Sequence, residues 1–279
     1  MNTNEDWQLA AEVIQQAEAI LVTAGAGMGV DSGLPDFRGS SGFWQAYPAL
    51  GQQGLAFYQI ACPAAFRRQP MLAWGFYGHR LQLYRHTQAH AGFALLRLWA
   101  QTKPGGLMVR TTNVDGHFQQ AGYTPGEIME CHGSIHYLQC LLPCSDEVWS
   151  AESFQPEIDT ENCLLVNAPP RCPRCGGLAR PNILMFDDDQ WLSQRTDMQA
   201  RRLENWLSQQ RNIVIIEIGA GQAIPVLRHF AQRLGTTRDD CRLIRINPRE
   251  SDVVFATDVG LRSGSLVALQ KLQHILQPG

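Results

Sequence analysis

The sequence predicts an α/β fold: a Rossmann-like parallel sheet with helices on both faces, and a smaller lobe beside it. Three observations carry this. Short apolar runs alternate with helix-period segments, a glycine-rich turn follows the first run, and two segments break the alternation.

Trp7 to Ala17 has the apolar spacing of an amphipathic helix, and Ala19-Ile-Leu-Val-Thr23 reads as a buried strand running into Gly25-Ala-Gly27. Further buried strands are expected at Gly106-Leu-Met-Val-Arg110, Asn212-Ile-Val-Ile-Ile-Glu217 and Cys241-Arg-Leu-Ile-Arg-Ile246. Helical patterns flank them at Ala91 to Gln101, Arg195 to Gln209 and Pro225 to Leu234, with Gly264 to Leu276 as a closing helix. Such alternation implies a parallel sheet with ligands at the carboxyl ends of its strands. The two interruptions are an aromatic-rich, mostly helical insert from about Gly39 to Arg85, and a segment from about His136 to Arg180. We expect one two-lobed domain, its large lobe near 7–38, 86–135 and 180–279 and its small lobe near 39–85 and 136–179.

The 279 residues are 44% hydrophobic and 18% charged, with net charge −3, which excludes a disordered or fibrous chain. A pI near 6.2 argues against a nucleic-acid binder, which would show a basic stripe. No apolar stretch has the length of a bilayer span, and the acidic start leads into no apolar signal region, so a cytoplasmic protein is expected. The Ser145 to Pro170 stretch, acidic and without Lys or Arg, reads as a solvated loop and strand surface. With no long apolar heptad, a monomer is the default.

Eight cysteines are the one anomaly. Cys140-Leu-Leu-Pro-Cys144 and Cys172-Pro-Arg-Cys175 are two tight pairs at the separation of a zinc ribbon, and Pro173 and Gly176-Gly177 suit a knuckle. Four thiolates leave no open coordination position, so the zinc would be structural. Cys163 lies between the pairs and could replace one ligand, although its neighbours resemble a strand start. Cys62, Cys131 and Cys241 read as core thiols.

The Gly25-Ala26-Gly27 turn begins a dinucleotide fingerprint, but Val30 stands where its third glycine would fall. No acidic residue follows at the ribose-binding distance either, so a dehydrogenase signature fails. The longer run Gly25-Ala-Gly-Met-Gly-Val-Asp-Ser-Gly-Leu-Pro-Asp-Phe-Arg-Gly39 resembles the NAD-binding signature of the sirtuins, NAD-dependent protein lysine deacylases. Other elements similar to that family's follow in order: Thr112-Asn113-Val114-Asp115, Ala121-Gly122, Cys131-His132-Gly133, the cysteine pairs, Arg180-Pro-Asn-Ile-Leu-Met-Phe-Asp187, Gly219-Ala-Gly221 and Ile246-Asn247. The resemblance runs from about residue 10 to 270.

The resemblance implies NAD and one zinc ion as cofactors, and an acyl-lysine protein or peptide as substrate. In the family's reaction the acyl oxygen attacks the anomeric carbon as nicotinamide leaves, and a ribose hydroxyl then attacks the alkylimidate. His132 would be the base for that hydroxyl, a task suited to a neutral imidazole. Asn113 would bind ribose and a water, and Asp115 the nicotinamide carboxamide. Gly25, Ala26, Gly27, Asp36, Phe37, Arg38, Thr112, Gly219, Ala220, Gly221 and Asn247 would complete the NAD site. Phe37 would cover the nicotinamide face and Arg38 would bind phosphate or support the cofactor loop. Phe186 would belong to the acyl-lysine-binding strand.

The sequence departs from the family at Gly29 and Gly221, where serine is usual, and at Thr112, where glutamine is usual. Each removes or shortens a hydrogen-bonding group worth about 1 kcal/mol. Asp187-Asp188 replaces a common Gly-Glu. Finally, Tyr77 and Arg80 share a helix face and resemble the Tyr-x-x-Arg of sirtuins that remove succinyl and malonyl groups, since arginine and phenol together can capture a carboxylate. The same spacing also fits an amphipathic helix with an exposed arginine. Mono-ADP-ribosyl transfer, NAD hydrolysis and a non-catalytic NAD sensor are the competing functions on this scaffold.

Overall fold

The computed structural model of the chain describes residues 3–35 and 39–277. Its strands, in chain order, are β1 (Ala19–Ala24), β2 (Leu107–Thr111), β3 (Ile128–Glu130), β4 (Gly133–Cys140), β5 (Val148–Ser150), β6 (Ile158–Asp159), β7 (Leu164–Leu165), β8 (Ala179–Ile183), β9 (Ile213–Ile218), β10 (Cys241–Ile246) and β11 (Val259–Leu261). Six of them form a parallel sheet in the order β11-β10-β9-β1-β2-β3.

Every residue of β1 and β9 is buried, because helices cover the sheet on both sides. The two faces separate with the period of two expected of strands. Ile20, Val22, Val109 and Ile216 pack with Ile14, Phe93, Trp99 and Leu269 from helices Asn4–Gln16, Ala91–Ala100 and Ser265–Leu276. Leu21, Met108, Ile215 and Leu243 pack instead with Leu203, Leu207 and Phe230 from helices Gln194–Gln209 and Val226–Thr237. The chain builds outward from β1 to β2 and β3, then returns to the other flank of β1 with β9. The order therefore reverses between β1 and β9, and a crevice opens at their carboxyl ends.

A separate core joins the two interrupting segments. The insert is helical, with elements Gly39–Ala46, Pro48–Gln52, Phe57–Ile60, Pro63–Arg68 and Pro70–His86. Three of these begin with proline, whose fixed φ and missing N–H suit a first helical turn. Phe43, Leu50, Phe66, Trp74 and Phe76 meet Ile135, Leu138 and Leu165 from the antiparallel sheet β5-β4-β8 and the β6-β7 hairpin. Gly75 lets helix Pro70–His86 lie directly on the hairpin, since a Cβ there would fall 1.9 Å from the Cys163 carbonyl oxygen.

The four strands expected in the parallel sheet are present within one residue at each end. Its outer strands β3 and β11 were not anticipated, being three residues each and too short for a periodic signal. The Ser145 to Pro170 stretch carries β5 to β7. Among the described residues, no helix is long and apolar enough to cross a membrane.

Candidate active site

The crevice begins with two interlocked turns. After β1, Gly25 donates its N–H to Ile218 O at 2.9 Å and Gly27 donates to Gly219 O at 3.2 Å. A Cβ on Gly25 would lie 2.7 Å from Gly219 O, and one on Gly219 would lie 2.4 Å from the Gly27 Cα. Gly219 also has φ +63°, a conformation costly for residues with a Cβ. The backbones themselves fill the junction, so side chains are excluded by contact.

Polar side chains fix the turns from the neighbouring strands. Asn113 donates to Gly25 O at 3.0 Å from just beyond β2. Asn247, buried beyond β10, donates to Ala220 O at 3.1 Å and accepts from the N–H groups of Arg249 and Glu250. The departures at glycine have different physical settings. A Cβ at Gly29 would press Leu34 at 3.1 Å, so glycine there lets Leu34 close against the turn, whereas Gly221 has open space around it.

Beside these turns lies a cavity of about 320 Å³. Ala26, Thr112, Asn113, Asp115 and His132 border it from the carboxyl ends of the parallel strands. Tyr77, Arg80 and Tyr84 border it from helix Pro70–His86, and Phe186 from the segment after β8. The sequence-predicted Gly25, Gly27, Gly219, Ala220, Gly221 and Asn247 are absent from this wall and make up the adjacent turns at β1, β9 and β10. Asp36, Phe37 and Arg38 lie outside the described residues.

His132 stands in the β3–β4 turn, where its carbonyl accepts from Leu184 N–H at 3.0 Å. Burial holds its imidazole below the ordinary histidine range near 6.5, against a smaller opposing pull from the Thr112 backbone. At neutral pH the ring is therefore an unprotonated base. Asp115 is 8% exposed, and one carboxylate oxygen accepts from His117 N–H at 2.9 Å. Burial raises its pKa, while His117 and then His136 pull the other way.

Arg80 is buried and makes the hydrogen bonds that sequence reasoning assigned to no one. Its Nε and Nη2 both donate to the Tyr84 hydroxyl, at 3.0 and 2.7 Å. Its guanidinium also lies 5.3, 5.8 and 5.4 Å from the ring centroids of Phe76, Tyr77 and Tyr84. The alternative of an exposed arginine on an amphipathic helix is thereby overturned. Tyr84 was missed because three-residue spacing singled out Tyr77, although a residue four positions on shares that face equally well.

Phe186 packs edge-on against Phe57 with centroids 5.7 Å apart and donates its N–H to Ala61 O at 3.0 Å. Asp187 follows with φ 51°, in the left-handed region that aspartate tolerates better than most residues. Asp188 turns inward to accept from Arg180 Nη2 at 2.8 Å, both side chains being fully buried. The Asp-Asp that stands where Gly-Glu is common thus pairs a left-handed residue with an inward acid.

The sulfur atoms of Cys140, Cys144, Cys172 and Cys175 all lie within 4.8 Å of one another. Cys140–Cys175 and Cys144–Cys172 are 3.7 and 3.6 Å apart, close to the ~3.8 Å edge of a tetrahedron with zinc–sulfur bonds of about 2.3 Å. These four cysteines are clustered as in a zinc site and fit a structural ion. Cys163 packs elsewhere in the smaller core, which removes it as an alternative ligand. Cys62 and Cys241 are buried as expected, and Cys131 is half-buried with its thiol pushed up by burial.

A switch-point crevice bounded by glycine turns and a neutral histidine defines a nucleotide-binding α/β enzyme. Residues 25–218 match the Sir2 family, and the chain belongs to that family. The chain is 29% identical to an NAD-dependent protein deacylase of Aquifex aeolicus over 92% of its length and 95% of the relative's. It is 30% identical to NAD-dependent protein deacylase 2 of Pseudomonas aeruginosa, over 67% of this chain and 68% of that one. Among solved structures, a Sir2 homolog–NAD complex shares the fold with a TM-score of 0.70 at 22% identity, covering 98% of this chain and 94% of the other.

Proposed function

We propose that this chain is an NAD-dependent protein lysine deacylase that transfers the acyl group to ADP-ribose and releases nicotinamide, with a preference for acidic acyl groups. The observation that carries the reading is one cavity bordered by His132, Asn113 and Asp115 on the sheet side and by Arg80 and Phe186 on the other. When bound, NAD supplies a glycosidic bond that breaks as the acyl oxygen is captured. The N–H groups of Gly25, Gly27 and Gly219 are spent on the interlock, so the glycines would serve by letting phosphates and ribose approach the backbone closely, with Ala26, Thr112, Ala220, Gly221 and Asn247 alongside. Asp36, Phe37 and Arg38 extend that site by family resemblance. Asn113 orients the ribose, Asp115 engages the carboxamide, and neutral His132 takes the proton from the ribose hydroxyl that completes transfer.

The acyl-lysine enters past Phe186, and Tyr77 and Arg80 receive the distal carboxylate of a succinyl or malonyl group. Zinc on Cys140, Cys144, Cys172 and Cys175 holds the smaller lobe, itself the helical insert near 39–85 with the cysteine segment near 136–179. The protein acts as a cytoplasmic monomer on protein or peptide substrates, without nucleic acid.

Mass spectrometry of products from an acyl-lysine peptide and NAD tests the reaction. O-acyl-ADP-ribose is expected, whereas ADP-ribosylated protein alone, free ADP-ribose alone, or no turnover would each overturn it. For the acyl preference, Arg80→Met is expected to erase the advantage of succinyl over acetyl peptides in kcat/KM, and unchanged discrimination would refute it.

A further inference from the structure

We propose that Tyr84 is a specificity-determining positioning residue: it aims the Arg80 guanidinium into the cavity and so sets the preference for acidic acyl groups. This rests on the acidic-acyl reading above and adds to it a residue outside the Tyr-x-x-Arg pair.

The geometry separates the two tyrosines. Tyr77 lies beside Arg80 as a ring, 5.8 Å from its centroid to the guanidinium carbon, whereas the Tyr84 oxygen accepts from two N–H groups along one edge of the guanidinium. A single hydrogen bond would leave the planar group free to swing about it. Two bonds to one oxygen stop that edge swinging within its own plane, and the rings of Phe76, Tyr77 and Tyr84 limit its tilt. All three side chains border the same cavity as His132, and Tyr84 is only 6% exposed, so its hydroxyl is sheltered from competing solvent.

The chemistry of the partner matters as much as its place. A carboxylate at position 84 would hold arginine equally well, but it would cancel the positive charge and repel an incoming substrate carboxylate. A phenol accepts the same two hydrogen bonds while remaining neutral, and burial pushes the Tyr84 hydroxyl further from ionisation. Tyr84 thus holds the guanidinium without itself adding a negative charge beside it. Tyr84 stands one helical turn beyond Arg80 and takes no place in the transfer of the acyl group.

The test compares kcat/KM for matched succinyl-, malonyl- and acetyl-lysine peptides in wild type, Tyr84→Phe, Arg80→Met and the double variant. Tyr84→Phe keeps the ring and removes the hydroxyl. It is expected to lower the succinyl-to-acetyl ratio about ten-fold, through KM for the acidic peptide, with acetyl kcat held within about two-fold. In the Arg80→Met background the same change should have no further effect on the ratio, because Tyr84 acts only through Arg80. Tyr84→Glu provides a second arm: acetyl turnover should persist while the acidic preference disappears, and retained acetyl turnover in either variant is the folding control.

A wild-type ratio retained in Tyr84→Phe, while Arg80→Met loses it, would overturn the role of Tyr84 alone. Equal losses on acidic and acetyl peptides would reduce Tyr84 to a structural part. A wild-type enzyme with no preference for acidic peptides would overturn the underlying reading together with this one, an outcome visible before any variant is made.

Discussion

The cavity wall and the turns beside it are built from different materials. At the β1–β9 end, backbone meets backbone, and Gly25, Gly27 and Gly219 serve by carrying no side chain. At the helix Pro70–His86 end, the wall is made of the side chains of Tyr77, Arg80 and Tyr84, held by hydrogen bonds and ring contacts. A backbone site tolerates almost no substitution, whereas a side-chain site can be retuned one group at a time. Under the proposed function, the first would face an invariant cofactor and the second a variable acyl group.

Variants at each end sharpen this contrast. The largest effect is expected from His132→Tyr, which removes the proposed base: activity should fall by about 10²–10⁴-fold or more while zinc content and the unfolding transition stay unchanged. Retained deacylation would refute the assigned role. Next comes Cys175→Ser, which breaks the cysteine tetrad and should cut zinc stoichiometry and depress the thermal midpoint. A variant with normal metal content and normal melting would contradict it. Gly219→Ala should cost about 2–4 kcal/mol in denaturant unfolding, because it combines positive φ with a backbone clash.

The smallest effects test the limits of the comparison. Gly221 sits two residues along the same turn but has open space around it, so Gly221→Ser should change stability by no more than about 0.5 kcal/mol. If it proved as costly as Gly219→Ala, the claim that backbone contact, rather than the turn as a whole, excludes side chains would fail. In pH profiles, the depressed His132 pKa places the acid limb of kcat/KM below the ordinary histidine value near 6.5. Activity should rise as His132 loses its proton and be flat through neutrality as far as this group is concerned; an acid limb above 7 would contradict it.

Much of this architecture was legible in the sequence, and the reasons are local. β1, β9 and β10 announce themselves as apolar runs because both sheet faces are covered. The glycine turns are legible because positive φ and close approach restrict the residues that fit. Two short cysteine pairs fixed the tetrad and left only Cys163 as an alternative to remove. What escaped was set by tertiary contact. β3 and β11 take their strand conformation from a neighbour rather than from a periodic pattern of their own. Tyr84 and Tyr77 are equivalent on helical spacing, and only the packed helix decides which hydroxyl meets Arg80. Phe57 joins Phe186 across distant parts of the chain, a pairing no local pattern encodes.

The interlock of the two glycine turns also imposes an order of events on the nascent protein. Gly25 and Gly27 leave the ribosome early, but the carbonyl acceptors of their N–H groups, Ile218 and Gly219, are made only after most of the chain has been synthesised. The first turn can take its final shape only once β9 has docked beside β1. A ribosome-bound fragment ending before β9 would carry the signature residues and still lack the formed turn, so under the proposed function nucleotide capture would mark the closing of the sheet and not its beginning.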